Sequence, residues 1–311
     1  MVSVYLLLLA GLLLLFISGK YLVDSSVVIS RLLRIPRMII GLTVVAFGTS
    51  APELLVSIQA ALAGYSEIAI GNVVGSNISN ILLVLAITAL IYPIPVPASS
   101  VKQDWPVMMF VSVLLFVFTL NGWLSRTEGI IFIGLLMAYI AFSVIKARRI
   151  NQTAKEEEAE PSEKWWKAGI IFLVSCVGLA FGADLLVTNV AIIAEEFGIS
   201  QRVISVTMVA VGTSIPEVAT SVIAALKKET DISVGNIIGS NIMNIISVLG
   251  ITSIISPIKV DAAISRFDIP WMLGISVVLL LLMLPASRSR ITRWEGTLMI
   301  MIYLLYIYFL F

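Results

Sequence analysis

The sequence predicts an all-α polytopic membrane protein, with ten transmembrane helices arranged as two inverted five-helix repeats. Composition is the first observation: of 311 residues, 59% are hydrophobic and 13% charged, and the mean hydropathy is +1.06. A soluble domain carries about 25% charged residues, because charge is what covers its outside. Spacing is the second: apolar stretches recur from Val2 to Phe311, so a single anchor on a soluble domain does not describe the chain. An internal repeat is the third. Residues 41–58 (GLTVVAFGTSAPELLVSI) align without gaps on 205–222 (SVTMVAVGTSIPEVATSV), with nine of 18 positions identical. At the same offset of 164, residues 71–81 (GNVVGSNISNI) align on 235–245 (GNIIGSNIMNI), with eight of 11 identical. Each copy holds an odd number of spans, so the second enters the membrane from the opposite side, as in transporter folds whose substrate site lies where the repeats meet.

A bilayer-crossing helix needs about 20 mostly apolar residues. Counting between polar punctuation gives spans at 2–30, 37–63, 67–91, 104–120, 127–146, 166–194, 201–226, 231–255, 267–284 and 294–311. The first and sixth are long enough to tilt. The first lacks a basic segment before it and a convincing small-residue cleavage site after it, and reads as a retained helix rather than a signal peptide. Residues 146–167, with Lys155, Glu156, Glu157, Glu158, Glu160 and Glu163, are too charged and too short for a domain and read as a flexible linker. The expected organisation is a repeat over 1–145, a charged linker over 146–165 and a second repeat over 166–311.

Alternating the loops between two sides puts 15 Lys and Arg on one side and four on the other, with Lys20 inside the first span. The positive-inside rule then places the linker in the cytoplasm and both termini outside a plasma membrane. A net charge of +1 without a concentrated basic face excludes a nucleic-acid partner. No segment marks an obligate protein partner. One cysteine, Cys176, and no histidine exclude disulfides, His-based triads, haem ligation and nearly all zinc or copper sites. No cofactor is expected, and any bound metal must be held by oxygen, as Na⁺, Ca²⁺ or Mg²⁺ are.

The chemistry lies in the repeated motifs. Gly48-Thr49-Ser50-Ala51-Pro52-Glu53 and Gly212-Thr213-Ser214-Ile215-Pro216-Glu217 fall mid-span. Each proline removes a helical N–H and is expected to free the carbonyls around Ala46–Gly48 and Ala210–Gly212. Free carbonyls at membrane depth need a polar partner, which a cation provides. Helical spacing keeps Thr49 and Ser50 near Glu53, and Thr213 and Ser214 near Glu217. A proline kink alone is common in membranes, but a carboxylate at the bilayer centre costs at least ~2.5–3.5 kcal/mol and marks function. Lys20, Asp24 and Asp184 are the other candidates for charge in the membrane, Lys20 and Asp24 being spaced to pair. Asn72, Ser76 and Asn80 form one stripe, repeated by Asn236, Ser240 and Asn244, while Asn77 and Asn241 sit off it, placed to bind backbone. Gly71, Gly75, Gly235 and Gly239 fit close helix packing. Two carboxylates, four hydroxyls, amides and carbonyls meeting at the midplane suit Ca²⁺, or Na⁺ in smaller sets, and imply a cation transporter working by alternating access. An intramembrane hydrolase and an open channel are the weaker readings.

At these motifs the sequence resembles the Ca²⁺/cation antiporter superfamily, in particular its sodium/calcium exchanger branch. The resemblance covers almost the whole chain and implies a ten-helix Na⁺/Ca²⁺ exchanger, not an enzyme, in which spans 1 and 6 slide across a core of spans 2, 3, 7 and 8. It implies a central Ca²⁺ site of Glu53, Glu217, Thr49 and Thr213. Flanking Na⁺ sites would use Ser50, Ser240 and the Ala46 carbonyl, and Ser214, Ser76 and the Ala210 carbonyl, with Asn80 and Asn244 in the middle. The short linker departs from the large regulatory loop of animal exchangers. Position 244 is Asn where several relatives have Asp, which points away from K⁺ coupling. Exchange of H⁺ for Ca²⁺ is the alternative, since a buried glutamate can carry a proton.

Overall fold

The computed structural model describes residues 2–153, 165–197, 212–284 and 290–310. Its helices are α1 (Val2–Leu33), α2 (Arg37–Thr49), α3 (Ala51–Leu62), α4 (Ser66–Ile91), α5 (Ser100–Thr119) and α6 (Arg126–Thr153). They continue as α7 (Trp165–Glu196), α8 (Ile215–Leu226), α9 (Thr230–Ile255), α10 (Ile264–Met283) and α11 (Arg293–Leu310). Among the described residues, seven helices are long and apolar enough to cross a membrane, or eight if α2 and α3 are one span bent by 43°. The chain is thus a nearly all-helical, multi-pass membrane protein. Helices α1 and α7 have 32 residues each, about 48 Å at 1.5 Å per residue, well beyond a hydrocarbon core of about 30 Å.

Several details depart from the sequence reading. The start of the expected linker is helical, because α6 runs on to Thr153 through residues with no glycine or proline to stop it. Helix α2 is broken rather than kinked. It ends at Thr49, Ser50 turns to φ −83° and ψ 6°, and α3 restarts with Pro52 in its first turn, where a missing N–H costs nothing. The first half of the span expected at 201–226 lies outside the described residues. Asp104 and Asp268 add to the charges expected in the membrane, since α5 and α10 begin earlier than read, at Ser100 and Ile264. Asp104 is buried, and the Tyr306 hydroxyl donates to Asp268 at 2.9 Å. Lys20 and Asp24 do not pair with each other: Asp24 pairs with Lys227, at the end of α8.

The offset of 164 reappears in the fold. It relates α3 to α8, α4 to α9 and α5 to α10 by their bounds. It also relates π-helical turns at Asn80–Leu85 and Asn244–Leu249, and at Ser100–Asp104 and Ile264–Asp268. Short strands β1 (Ile94–Pro95), β2 (Trp123–Leu124), β3 (Ile258–Lys259) and β4 (Arg290–Ile291) form two antiparallel ladders, β1 with β4 and β2 with β3. Each ladder therefore ties a loop of the first half to a loop of the second, reciprocally, as a two-fold relation requires. Both join loops that strict alternation across the membrane assigns to one face.

Packing separates two bodies. The larger hydrophobic cluster runs through α2–α6 and α9–α11, and α9 is its most buried span among the described residues. There α2 and α9 approach backbone to backbone: a Cβ on Gly235 would lie 2.7 Å from the Met38 carbonyl, and one on Gly239 2.6 Å from that of Leu42. The second cluster joins α1 and α7 to α2, α8 and the start of α9 through Leu15, Leu22, Val45, Leu179 and Ile223. Helices α1 and α7 lie along each other, with Gly11 against the Gly182 carbonyl and Gly178 against Ser18.

Candidate functional site

Breaking α2 at Ser50 places Glu53 in the first turn of α3, and Ser214 likewise precedes α8, with Glu217 in its first turn. Both carboxylates are fully buried, at 0% exposure, and helix N-termini favour negative charge there. An asparagine of the next helix donates to each of these helices. The Asn72 Nδ2 donates to the Glu53 backbone carbonyl at 3.2 Å and to Ser57 Oγ at 3.1 Å. Asn236 Nδ2 donates to Ser221 Oγ at 3.1 Å.

The hydroxyls cross between repeats. Thr49 donates to Asn236 Oδ1 at 3.1 Å and stands 3.4 Å from Ser240 Oγ. Thr213 mirrors this, 3.3 Å from Asn72 Oδ1 and 3.1 Å from Ser76 Oγ. Ser50 and Ser240 converge on Glu217 Oε1, at 3.5 and 3.4 Å. The expectation that Ser50 stays beside Glu53 by helical spacing is thus corrected: the helix break turns its hydroxyl toward the other repeat. These separations are long for direct O–H···O bonds. They match the spacing of neighbouring ligands around a cation, since bonds of about 2.4 Å at right angles put oxygens about 3.4 Å apart.

The Ala46 carbonyl is not freed as expected. It accepts the Ser50 N–H at 3.0 Å and the Thr49 hydroxyl at 3.3 Å, since the break comes after it rather than at it. Ala210 lies outside the described residues. Asn80 and Asn244, both fully buried, open the π-helical turns, where helices at functional sites commonly widen. Their amides bond across the repeats to Asn241 and Asn77. Asn77 binds backbone as its position off the stripe implies, its Nδ2 donating to the Asn241 carbonyl at 3.2 Å, whereas the Asn241 amide meets the Met108 sulfur; what spacing does not show is that both also bond the stripe asparagines of the other repeat.

Six oxygens of the expected site are buried without a hydrogen-bond partner: both of Glu53, Oε2 of Glu217, Ser214 Oγ, and Oδ1 of Asn80 and of Asn244. A buried charge without a partner costs several kcal/mol, and so many in one constellation fit an oxygen-ligated cation. Among the described residues no three His, Cys, Asp or Glu cluster as a metal site, so two carboxylates and neutral oxygens make up the donor set. Two carboxylates balance one Ca²⁺.

Known proteins resemble the chain throughout. The family model described as "Sodium/calcium exchanger protein" matches residues 3–145 and 167–311. The "Putative antiporter CaxA" of Alkalimonas amylolytica is 40% identical over 309 residues, covering 97% of each chain. The "Sodium/calcium exchanger MaX1" of Methanosarcina acetivorans is 35% identical over 349 residues, covering 99% of this chain and 98% of that one. A solved structure of the sodium-calcium exchanger NCX_Mj, soaked with Na⁺ and Sr²⁺, matches with a TM-score of 0.82 and 32% identity. It covers 98% of this chain and 97% of that one.

Proposed function

The chain belongs to the sodium/calcium exchanger protein family, and from that premise we propose that it exchanges Na⁺ for Ca²⁺ by alternating access, moving net charge and needing no K⁺. The observation that carries this reading is the set of partnerless buried oxygens on Glu53, Glu217, Ser214, Asn80 and Asn244. Ca²⁺ sits centrally on Glu53, Glu217, Thr49 and Thr213. Na⁺ takes one set that includes Ser50 and Ser240, where the Ala46 carbonyl stays with the Ser50 N–H and the Thr49 hydroxyl, and another of Ser214, Ser76 and the Ala210 carbonyl. Asn80 and Asn244 line the middle. One Ca²⁺ neutralises the two carboxylates, whereas three Na⁺, the number the family implies, leave one positive charge in excess.

The repeats occupy 1–145 and 166–311 as five membrane spans each. The linker is cytoplasmic and both termini lie outside a plasma membrane, a sidedness supported by the Lys and Arg excess on one side, while the ladders and the Arg37–Glu229 ion pair support the alternation of loops between two faces. That pair, at 2.7 Å, joins two loops counted on the same face. The separate packing of α1 and α7 supports their sliding over the core. The hydroxyls of Ser50 and Ser240 that converge on Glu217 favour Na⁺ over a proton as the coupling ion.

The test is Ca²⁺ uptake into vesicles containing the purified protein. An outward Na⁺ gradient should drive uptake, an inside-positive potential should speed it because three Na⁺ leaving for one Ca²⁺ carry one positive charge out, and K⁺ should be dispensable. Uptake that follows a pH gradient and ignores Na⁺ would assign H⁺/Ca²⁺ exchange instead.

A further inference from the structure

Asparagine is an ambiguous ion ligand, because its carboxamide presents an attractive oxygen in one orientation and a repulsive NH₂ in the other. Asn80 and Asn244 therefore serve a cation only if something outside the ion site holds them oxygen-inward. Asn77 and Asn241 are placed to do this, each one helical turn before the residue it matches in its own repeat and bonded to that residue's counterpart in the other.

The chain of donors begins at a group with no alternative. The Asn241 backbone carbonyl can only accept, so the Asn77 amide at 3.2 Å must present Nδ2 to it; the Met272 sulfur, at 3.7 Å, takes the same Nδ2. Asn77 Oδ1 is then committed to the opposite edge, where Asn244 donates its Nδ2 at 3.1 Å. With Nδ2 of Asn244 occupied, its Oδ1 is turned away from the clamp, buried and without a protein partner. The second half repeats the logic with a thioether in place of the carbonyl. Asn241 Nδ2 faces the Met108 sulfur at 3.6 Å, and its Oδ1 accepts the Asn80 Nδ2 at 3.2 Å, leaving Asn80 Oδ1 partnerless. All four asparagines are at least 99% buried, so water cannot substitute for a lost partner.

We infer that Asn77 and Asn241 are positioning residues that determine the polarity of the middle ion ligands, by locking the Asn244 and Asn80 carboxamides with oxygen toward the ion. The inference rests on the cation-site reading above. It adds that the neutral centre of the site is fixed from outside it, and that Asn77, anchored on a backbone carbonyl, is the firmer of the two locks. A carboxylate has no wrong way round, so the lock matters only while position 244 is an amide.

That difference supplies the test: a double-mutant cycle of Asn77→Leu with Asn244→Asp, read as Ca²⁺ affinity by titration calorimetry on purified protein in Na⁺-free detergent. Alone, Asn77→Leu should weaken Ca²⁺ binding about tenfold or more. In the Asn244→Asp background the same change should cost less than about threefold, because no amide remains to be misdirected. Equal losses in both backgrounds would mean that Asn77 only supports the fold, and would overturn the inference. Thermal melting of the ion-free proteins separates the roles further, since a positioning role predicts a similar melting temperature in both backgrounds. Should Asn77→Leu not fold, Asn241→Leu with Asn80→Asp carries the same cycle through the weaker, thioether-anchored lock. Binding is measured without transport, so a failed cycle is distinguishable from a failed Na⁺/Ca²⁺ assignment, which would show in the vesicle assay alone.

Discussion

Ser50 reaches Glu217, 167 residues away, rather than the glutamate three residues along its own chain, and its Oγ stands 3.5 Å from Glu217 Oε1. The ion-coordinating groups are consequently shared between the repeats. Neither half owns a complete set, which fits the proposal of one common centre whose access changes as the surrounding helices move, as in inverted-repeat transporters.

Replacing Glu53 or Glu217 by Gln keeps the shape and removes half of the fixed negative charge. Ca²⁺ exchange should fall at least about 100-fold in each variant, equivalent to about 2.7 kcal/mol. Initial rates of Na⁺-driven Ca²⁺ uptake check this, and full exchange in either variant would remove the two-carboxylate site.

The hydroxyls are not equivalent. Ser50 stands beside Glu217 while Ser214 Oγ has no partner. Ser50→Ala removes an ion ligand and a hydroxyl facing a buried carboxylate, whereas Ser214→Ala removes the ligand alone. Each should raise the Na⁺ concentration for half-maximal exchange, by roughly ten- to a hundredfold on the energy of one polar contact to a charged group. The Ser50 variant should also lose Ca²⁺ affinity. Paired Na⁺ and Ca²⁺ titrations of uptake distinguish the two.

A cysteine at position 48 offers a switchable brake. A Cβ there would lie 2.6 Å from the Cys176 sulfur on α7, somewhat inside the roughly 3 Å that a disulfide sets between one Cβ and the partner sulfur, so a small turn of the Cys176 side chain brings the two sulfurs to bonding distance. In Gly48→Cys, mild oxidation should join α2 to α7 and arrest exchange while Ca²⁺ still binds, and reductant should restore the prior rate. The same variant carrying Cys176→Ala should ignore the oxidant. Undiminished turnover with a verified crosslink would count against sliding of α7 over the core.

Asn244→Asp would set a third carboxylate beside those of Glu53 and Glu217, and three close anions cannot all stay ionised cheaply. Exchange by this variant should gain a dependence on pH, on K⁺, or on both, whereas the parent should require no K⁺. Na⁺-driven uptake measured across pH, with and without K⁺, decides it.

Much of this protein was legible from residues alone. Glu53 and Glu217 stood out because a mid-span carboxylate is costly and these two recur at one offset beside a proline. The same offset foretold the matching of α3 with α8 and α4 with α9. Spacing could not tell that Pro52 begins a new helix rather than kinking an old one, so Ala46 keeps its hydrogen bonds and Ser50 faces Glu217. Pairing by i,i+4 distance suggested Lys20 with Asp24, but Asp24 meets Lys227, because a helix surface offers contacts to neighbours as readily as to itself. The asparagines show the limit most plainly. Sequence placed Asn244 on the polar stripe and Asn77 against backbone, yet the direction of an amide depends on which acceptor is opposite it. For Asn77 that acceptor is a backbone carbonyl 164 residues away, brought within 3.2 Å only when the two repeats pack.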